Sequence, residues 1–226
     1  MEIIPAIMPQ SLYEIEKKVT PMVGRISTIQ LDIMDGVFTK RSTWPYIAED
    51  TSFDAIENEE EGMPFWDKVD YDLDLMISNP EEKFARLVQI GPSRIIFHIE
   101  SLSNPVSFFE SIDQYFKDTI EFGIALNTTT DVSTVFPLVD AGHVKFVQCM
   151  GIEKIGYQGT PFDERVFDHI SALREKYSDL VISVDGSVNQ DTAGRLLDAG
   201  VDRLVIGSAI FNADDPLGEL DYFKSL

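Results

Sequence analysis

Eight short, β-rich apolar runs alternate with helix-length amphipathic stretches along the chain, and no Gly-x-Gly-x-x-Gly follows the first run. The alternation predicts βαβ units and a parallel sheet. Eight such units within 226 residues predict a single closed (β/α)8, or TIM, barrel as one domain over residues 1–226. A doubly wound open sheet is the competing architecture. The missing glycine fingerprint speaks against it, because the first run leads into Met8-Pro9-Gln10-Ser11.

The runs expected as strands are Ile3–Met8, Thr28–Ile33, Tyr71–Met76, Arg94–His98, Phe122–Leu126, Val144–Met150, Leu180–Val184 and Arg203–Ile206. Helices are expected over Ser11–Val23, Pro80–Ile90, Val106–Phe116, Val132–Val139, Asp163–Tyr177 and Asn189–Ala199, with a last one near Leu217–Leu226. Asn79-Pro80-Glu81-Glu82 supplies an N-cap, a proline at the first helical position and acids in the first turn. Asn189 opens a run that closes at Gly200, a cap-to-cap helix. The segment Ala48–Asp67 is acidic and weakly periodic, and reads as a long rim excursion holding at most a short helix.

Charge narrows the function. Eighteen basic residues face 39 acidic ones, a formal net charge of -21. Nucleic acid and anionic membranes need a basic face and are excluded as partners. An anionic substrate must then be met by backbone N–H groups, a metal ion or a few placed cations. No stretch reaches the roughly 18 apolar residues of a membrane span. The N-terminus carries no secretory pattern. Cys149 is the one cysteine, so no internal disulfide forms and a cytoplasmic location is expected. Self-association into a homo-oligomer stays open.

Strand periodicity places the chemistry. Residues i and i+2 share a face, so Gln30 and Asp32 project together, as do Asp72, Asp74 and Met76, and Ser183 and Asp185. Barrel interiors are normally filled by branched apolar side chains. Polar residues near strand C-termini are therefore candidates to line a site, Asp32 and Asp185 first; Gln30 and Asp74 could equally bond a neighbouring strand end. Asp72 lies deeper and reads as structural, and Asp35-Gly36 reads first as turn chemistry. The last strands end in glycine-bearing turns. These are Gly156-Tyr157-Gln158-Gly159 after the sixth, Asp185-Gly186-Ser187 after the seventh and Gly207-Ser208-Ala209 after the eighth. Such loops let backbone N–H groups approach an anion, so Gly156, Gly159, Gly186, Ser187, Gly207 and Ser208 are the expected phosphate cradle.

Together these segments resemble the ribulose-phosphate 3-epimerase family. The resemblance runs through Ile4-Pro5-Ala6-Ile7-Met8, Leu31-Asp32-Ile33-Met34-Asp35-Gly36, Leu75-Met76 with Asn79-Pro80-Glu81, and Phe97-His98-Ile99-Glu100. It is fullest in Val184-Asp185-Gly186-Ser187-Val188-Asn189 and Gly207-Ser208-Ala209-Ile210-Phe211. It implies a (β/α)8 barrel that inverts a carbon next to the carbonyl of a ketose phosphate. Asp32 and Asp185 would be the acid/base pair, and Met34, Met76 and Met150 would line the substrate site. A divalent metal would be held by Gln30, Asp32, Asp74 and Asp185. The chain departs from the family pattern in that Gln30 and Asp74 stand where the family has histidine ligands. Pro9 stands where it has a serine, and the loop after the sixth strand is longer by one.

Electrostatics constrains the replacement. Two like charges ~4 Å apart repel by roughly 4 kcal/mol at an effective dielectric near 20. Three converging carboxylates need a cation, or one must stay protonated. With oxygen donors alone the cation would be Mg²⁺ or Mn²⁺. The alternative is a metal-free site in which Gln30 bridges two carboxylates by hydrogen bonds. Three functions compete: a sugar-phosphate 3-epimerase, another reaction on the same phosphosugar barrel, and a non-catalytic phosphosugar binder. The related phosphosugar decarboxylases carry Asp-x-Lys-x-x-Asp on the second strand. Here that window is Gln30-Leu31-Asp32-Ile33-Met34-Asp35, without the lysine.

Overall fold

A computed structural model describes residues 1–157 and 159–226; Gln158, in the loop after the sixth strand, lies outside the described residues. The strands are β1 (Glu2–Ile7), β2 (Thr28–Met34), β3 (Asp70–Met76), β4 (Arg94–His98), β5 (Glu121–Leu126), β6 (Phe146–Met150), β7 (Val181–Asp185) and β8 (Arg203–Ile206). Each pairs in parallel with the next, and β8 returns to β1, so the chain forms a single closed (β/α)8 TIM barrel. The α-helices among the described residues are α1 (Leu12–Val19), α2 (Ser52–Glu57), α3 (Pro80–Leu87), α4 (Pro105–Ser111), α5 (Gln114–Thr119), α6 (Phe136–Asp140), α7 (Val166–Lys176), α8 (Gln190–Asp198), α9 (Ser208–Phe211) and α10 (Pro216–Lys224). None is long and apolar enough to cross a membrane.

The eight expected strands are present, each within two residues of its expected bounds. The helix expected over Val106–Phe116 is instead two, α4 and α5. Ile112 takes an extended conformation, and the Asp113 side chain accepts from the backbone N–H of Tyr115, starting a new helix. The helix expected over Ser11–Val23 stops at Val19 and continues as a 3₁₀ turn through Met22. Pro21 lacks the N–H that an α-helical turn would need there. The rim excursion holds α2, anchored by buried Phe53 and Ile56.

The main core lies between barrel and helices. Its densest part is a group of rings, with Phe97 packed against Phe84, Phe108, Phe109 and Phe122 at centroid distances of 5.1 to 6.3 Å. Inside the barrel the apolar content is small: Ile4, Ala6 and Val205 form one cluster, and Ile96, Ala125, Phe146 and Met150 another. The remaining interior includes buried Gln30, Asp32, Asp72, Asp74, His98, Gln148 and Ser183. At the N-terminal end the interior is closed by charge. Arg94 pairs with Asp72 (3.0 Å) and Glu2 (3.1 Å), and Arg203 pairs with Glu2 (3.0 Å) and Glu121 (2.9 Å). Burial pushes the Asp72 carboxyl up to about 7 despite Arg94. Asp72 is thus structural, as its depth implied, and the polar groups at the C-terminal ends form a separate layer.

Candidate active site

Strand register brings the candidate residues into one layer. Asp32 on β2 lies opposite Asp74 on β3, and Met34 opposite Met76. Across β6 and β7, Met150 lies opposite Asp185 and Gln148 opposite Ser183. Because the barrel is closed, β7 and β2 face a common axis. One carboxylate oxygen from each of Asp32, Asp74 and Asp185 falls within 4.8 Å of the others. Asp74 is fully buried, Asp32 nearly so, and Asp185 is partly open to the pocket.

Two amides and an imidazole tie the acids together. Gln30 Nε2 donates to Asp32 Oδ1 (3.0 Å) and to Asp185 Oδ2 (2.9 Å). Gln148 Nε2 donates to Asp74 Oδ2 (3.3 Å), and Ser183 Oγ donates to Gln148 Oε1 (3.4 Å). His98 Nε2 lies 3.1 Å from Asp74 Oδ1, with its Nδ1 3.8 Å from Glu100 Oε2. Burial alone would push the His98 imidazole down. The Asp74 and Glu100 carboxylates outweigh it and hold the ring up at about 10. Burial, and then the charges of Asp185 and Asp74, hold the Asp32 carboxyl well above its usual range. Burial and Asp74 push Asp185 up to about 7, against the Gln30 hydrogen bond. Like charges this close raise the cost of ionising both carboxyls at once.

Above this layer opens a pocket lined by Asp32, Asp185, Met8, Met76, Met150, Gly156, Gly159, Gly186, Ser187, Gly207 and Ser208, among others. Nearly every sequence-predicted residue therefore meets at one place. Gln30 and Asp74 lie below the pocket floor. Met34 is fully buried and does not line the pocket; its Sδ packs under Gly156 instead. Gly186 has φ +106 and would meet the Ile152 side chain if it bore a Cβ, so only glycine turns the chain there. Ser187 follows with φ +53, and its hydroxyl donates to the Thr160 carbonyl, which leaves its backbone N–H as the group to offer an anion. Asn189 caps α8 through Asp191 and Thr192 in a capping box, fixing the loop after β7. Asp35 is a clamp: it accepts from Val37 and Phe38 N–H, from Ser78 N–H and Oγ, and from Lys83 Nζ (2.8 Å). Phe38, thereby positioned, packs 5.8 Å from the His98 ring.

Met8 and Gln148 are the site residues that strand patterning alone did not single out. Met8 follows the last residue of β1, a position the patterning treats as a strand end. Gln148 shared the inward face of β6 with Phe146 and Met150, which was the available signal.

The donor set fits a hard cation. Three carboxylates converge, and the Gln30 amide touches two of them at the 2.9–3.0 Å spacing of its hydrogen bonds. Amide oxygen and nitrogen are interchangeable by rotation of the last torsion, so the same side chain can present its carbonyl oxygen to a cation. The hydrogen-bonded bridge of the metal-free alternative is also present, in the orientation just described.

Comparison with known proteins follows the geometry. The ribulose-phosphate 3 epimerase family profile matches residues 2–211. The cytoplasmic isoform of ribulose-phosphate 3-epimerase from Oryza sativa subsp. japonica is 36% identical over 147 residues, 64% of this chain and 63% of that protein's length. The ribulose-phosphate 3-epimerase of Schizosaccharomyces pombe is 27% identical over 216 residues, 95% of this chain and 89% of the relative. Among solved structures, 3-hexulose-6-phosphate synthase from Salmonella typhimurium superposes with a TM-score of 0.71 at 17% identity, covering 100% of this chain and 97% of that one. KGPDC from Streptococcus mutans in complex with D-R5P gives 0.68 at 16%, covering 99% and 95%. These two likenesses are of fold. On that match across residues 2–211, the chain belongs to the ribulose-phosphate 3-epimerase family, a family of isomerases.

Proposed function

We propose that this chain is a sugar-phosphate 3-epimerase, acting on ribulose 5-phosphate or a close ketose-phosphate analogue in the cytoplasm. The observation that carries this reading is that Asp32 and Asp185 line one pocket together with the glycine turns after β7 and β8. The backbone N–H groups of Gly186, Ser187, Gly207 and Ser208, with Gly156 and Gly159 of the loop after β6, would hold the phosphate. Met76, Met150 and Met8 offer soft apolar walls to the carbon chain, with Met34 supporting them from below. One of Asp32 and Asp185 removes the proton next to the substrate carbonyl while the other returns a proton from the opposite face. Their shared environment supports this division, because two coupled buried carboxyls sit most stably as one acid and one base.

Asp32, Asp74, Asp185 and Gln30 would hold one divalent cation, which when bound would stabilise negative charge developing on the substrate oxygens. An all-oxygen set favours Mg²⁺ or Mn²⁺ over Zn²⁺. His98 and Gln148 each donate to one oxygen of Asp74 and so fix the direction of the other donor positions. A second, metal-free reading is supported by the Gln30 bridge and by His98 beside Asp74, whose ring is held above its usual range by the neighbouring carboxylates. Thermal unfolding separates the two. Saturating Mg²⁺ or Mn²⁺ is expected to raise the melting temperature by several degrees, following mass action, and Asp74→Asn is expected to lose that rise. An unmoved melting temperature with Mg²⁺, Mn²⁺ and Zn²⁺ alike would select the metal-free site.

The test of the reaction itself is isotopic. Ribulose 5-phosphate incubated with the protein in D₂O is expected to gain deuterium at C3 and to yield its C3 epimer. Absence of both, with the phosphosugar still bound, would place the chain among the binders or among barrels with other chemistry. The structural neighbours cannot make that choice, since one barrel hosts many reactions.

A further inference from the structure

The charge inventory leaves a residue that the pocket does not absorb. Of the 18 lysines and arginines, ten form ion pairs with carboxylates among the described residues. The other eight form none among the described residues. Three of those eight, Lys40, Arg41 and Lys154, lie together at the C-terminal mouth of the barrel, on the loops after β2 and β6.

These two loops are built against each other. Gly156, at φ +80, approaches so closely that a Cβ there would meet Thr39 and the Met34 Sδ at 3.0 to 3.1 Å, so a larger residue would push the loops apart. Next to it, the Tyr157 ring carries the Arg41 guanidinium at 5.4 Å, and Thr39 Oγ1 pins the turn by donating to the Arg41 carbonyl (3.1 Å). Between the loops lies a vestibule of ≈ 680 Å³, lined by Lys40, Lys154, Phe38, Ile155, Tyr157 and Gly159 among others. It shares Tyr157 and Gly159 with the inner pocket. Its one acid, Glu153, leans toward Arg165 at 3.9 Å. The inner pocket is lined by two carboxylates and no lysine or arginine.

A phosphate dianion approaching a protein of net charge -21 meets repulsion from most directions. We propose that Lys40, Arg41 and Lys154 form an outer anion-binding subsite for phosphate monoesters, which receives the phosphorylated substrate in the vestibule before it passes to the glycine cradle. That the substrate is a sugar phosphate rests on the function proposed above; the anion subsite itself does not. Two or three exposed cations add modestly to affinity and strongly to the capture rate, and salt screens both over a Debye length of about 10 Å at 0.1 M.

The experiment has two arms, both with the triple variant Lys40→Gln, Arg41→Gln, Lys154→Gln. In the first, inorganic phosphate is titrated at low ionic strength by ³¹P NMR. The unmodified protein is expected to show two classes of site, and the triple variant only the inner one. In the second, kcat/KM for ribulose 5-phosphate is followed against salt. The variant is expected to lie about tenfold below the unmodified enzyme at low ionic strength, to show a flatter salt dependence and to converge with it at high salt. One class of phosphate site in both proteins, or identical salt slopes, overturns the subsite. Two phosphate classes without any epimerisation would uphold the subsite and defeat the proposed reaction, so the two failures are distinct.

Discussion

Asp32→Asn and Asp185→Asn are each expected to lower turnover by ~10²-fold or more, the scale of positioned proton transfer. Asparagine keeps the shape and removes the base. The two losses should differ in kind. If the carboxyls address opposite faces of the reacting carbon, each variant retains one of the two proton exchanges. In D₂O, one variant should still exchange the C3 proton of one epimer, and the other variant that of the other epimer, while neither interconverts them. The double variant should fall little below the singles in interconversion, since residues that act as a unit are not additive. Gln30 offers an internal control on geometry. Its amide donates to both acids, so Gln30→Glu would remove both hydrogen bonds and set a fourth carboxyl against the other three, and turnover is expected to fall with it. Full turnover in either Asn variant, or the same surviving exchange in both, would remove these residues from the proposed roles.

How much of this was legible from the chain depends on the range of the interaction. The strands were legible because β-branched runs bounded by turn residues report local structure; β4 runs Arg94–His98, as the pattern implied. Asp32 and Asp185 were legible because a carboxylate near the C-terminal end of a strand's inward face is unusual in an apolar barrel core and lies at the end where sites form. The break between α4 and α5 was missed because Asp113 sits inside an otherwise helical pattern, where its capping geometry shows only once Ile112 leaves the helix. Contacts far apart in sequence were legible only where barrel closure implied them, as for the converging acids and the Gln30 bridge. The bond from Gln30 to Asp185 spans 155 positions, and the donation from Gln148 to Asp74 spans 74. Gln148 therefore looked like an ordinary strand residue until closure set β6 across the barrel from β3. His98, at the end of β4, could from the strand pattern either reach the site or satisfy a hydrogen bond in the core. Only barrel closure sets its ring between the Asp74 and Glu100 carboxylates. Met34 shows the converse. Its alternation with Asp32 is correct, yet the loop after β6 folds down on it and takes its place at the pocket wall.

The phosphate cradle gives the other large expected effect. Ser208 lines the pocket as the first residue of α9, directly after Gly207. An acid is well tolerated at a helix start, where Asp is favoured by the exposed N–H groups. Ser208→Asp should consequently fold with little loss of stability. It would also set a fixed negative charge within about 4 Å of where the phosphate would rest. At an effective dielectric near 20 that repulsion is about 4 kcal/mol per unit charge, or roughly 10³-fold in affinity. The measured outcome is expected to be a rise in KM for ribulose 5-phosphate of 10²-fold or more, matched by loss of the inner class in a phosphate titration. Ser208→Asn, nearly the same shape without the charge, should change KM by less than tenfold. The contrast between the two variants isolates charge from packing, because both replace the same hydroxyl. Equal KM values for Ser208→Asp and Ser208→Asn would mean that no anion binds at the start of α9, and the phosphate would then have to be sought elsewhere on the barrel mouth, with the vestibule between the loops after β2 and β6 as the nearest place.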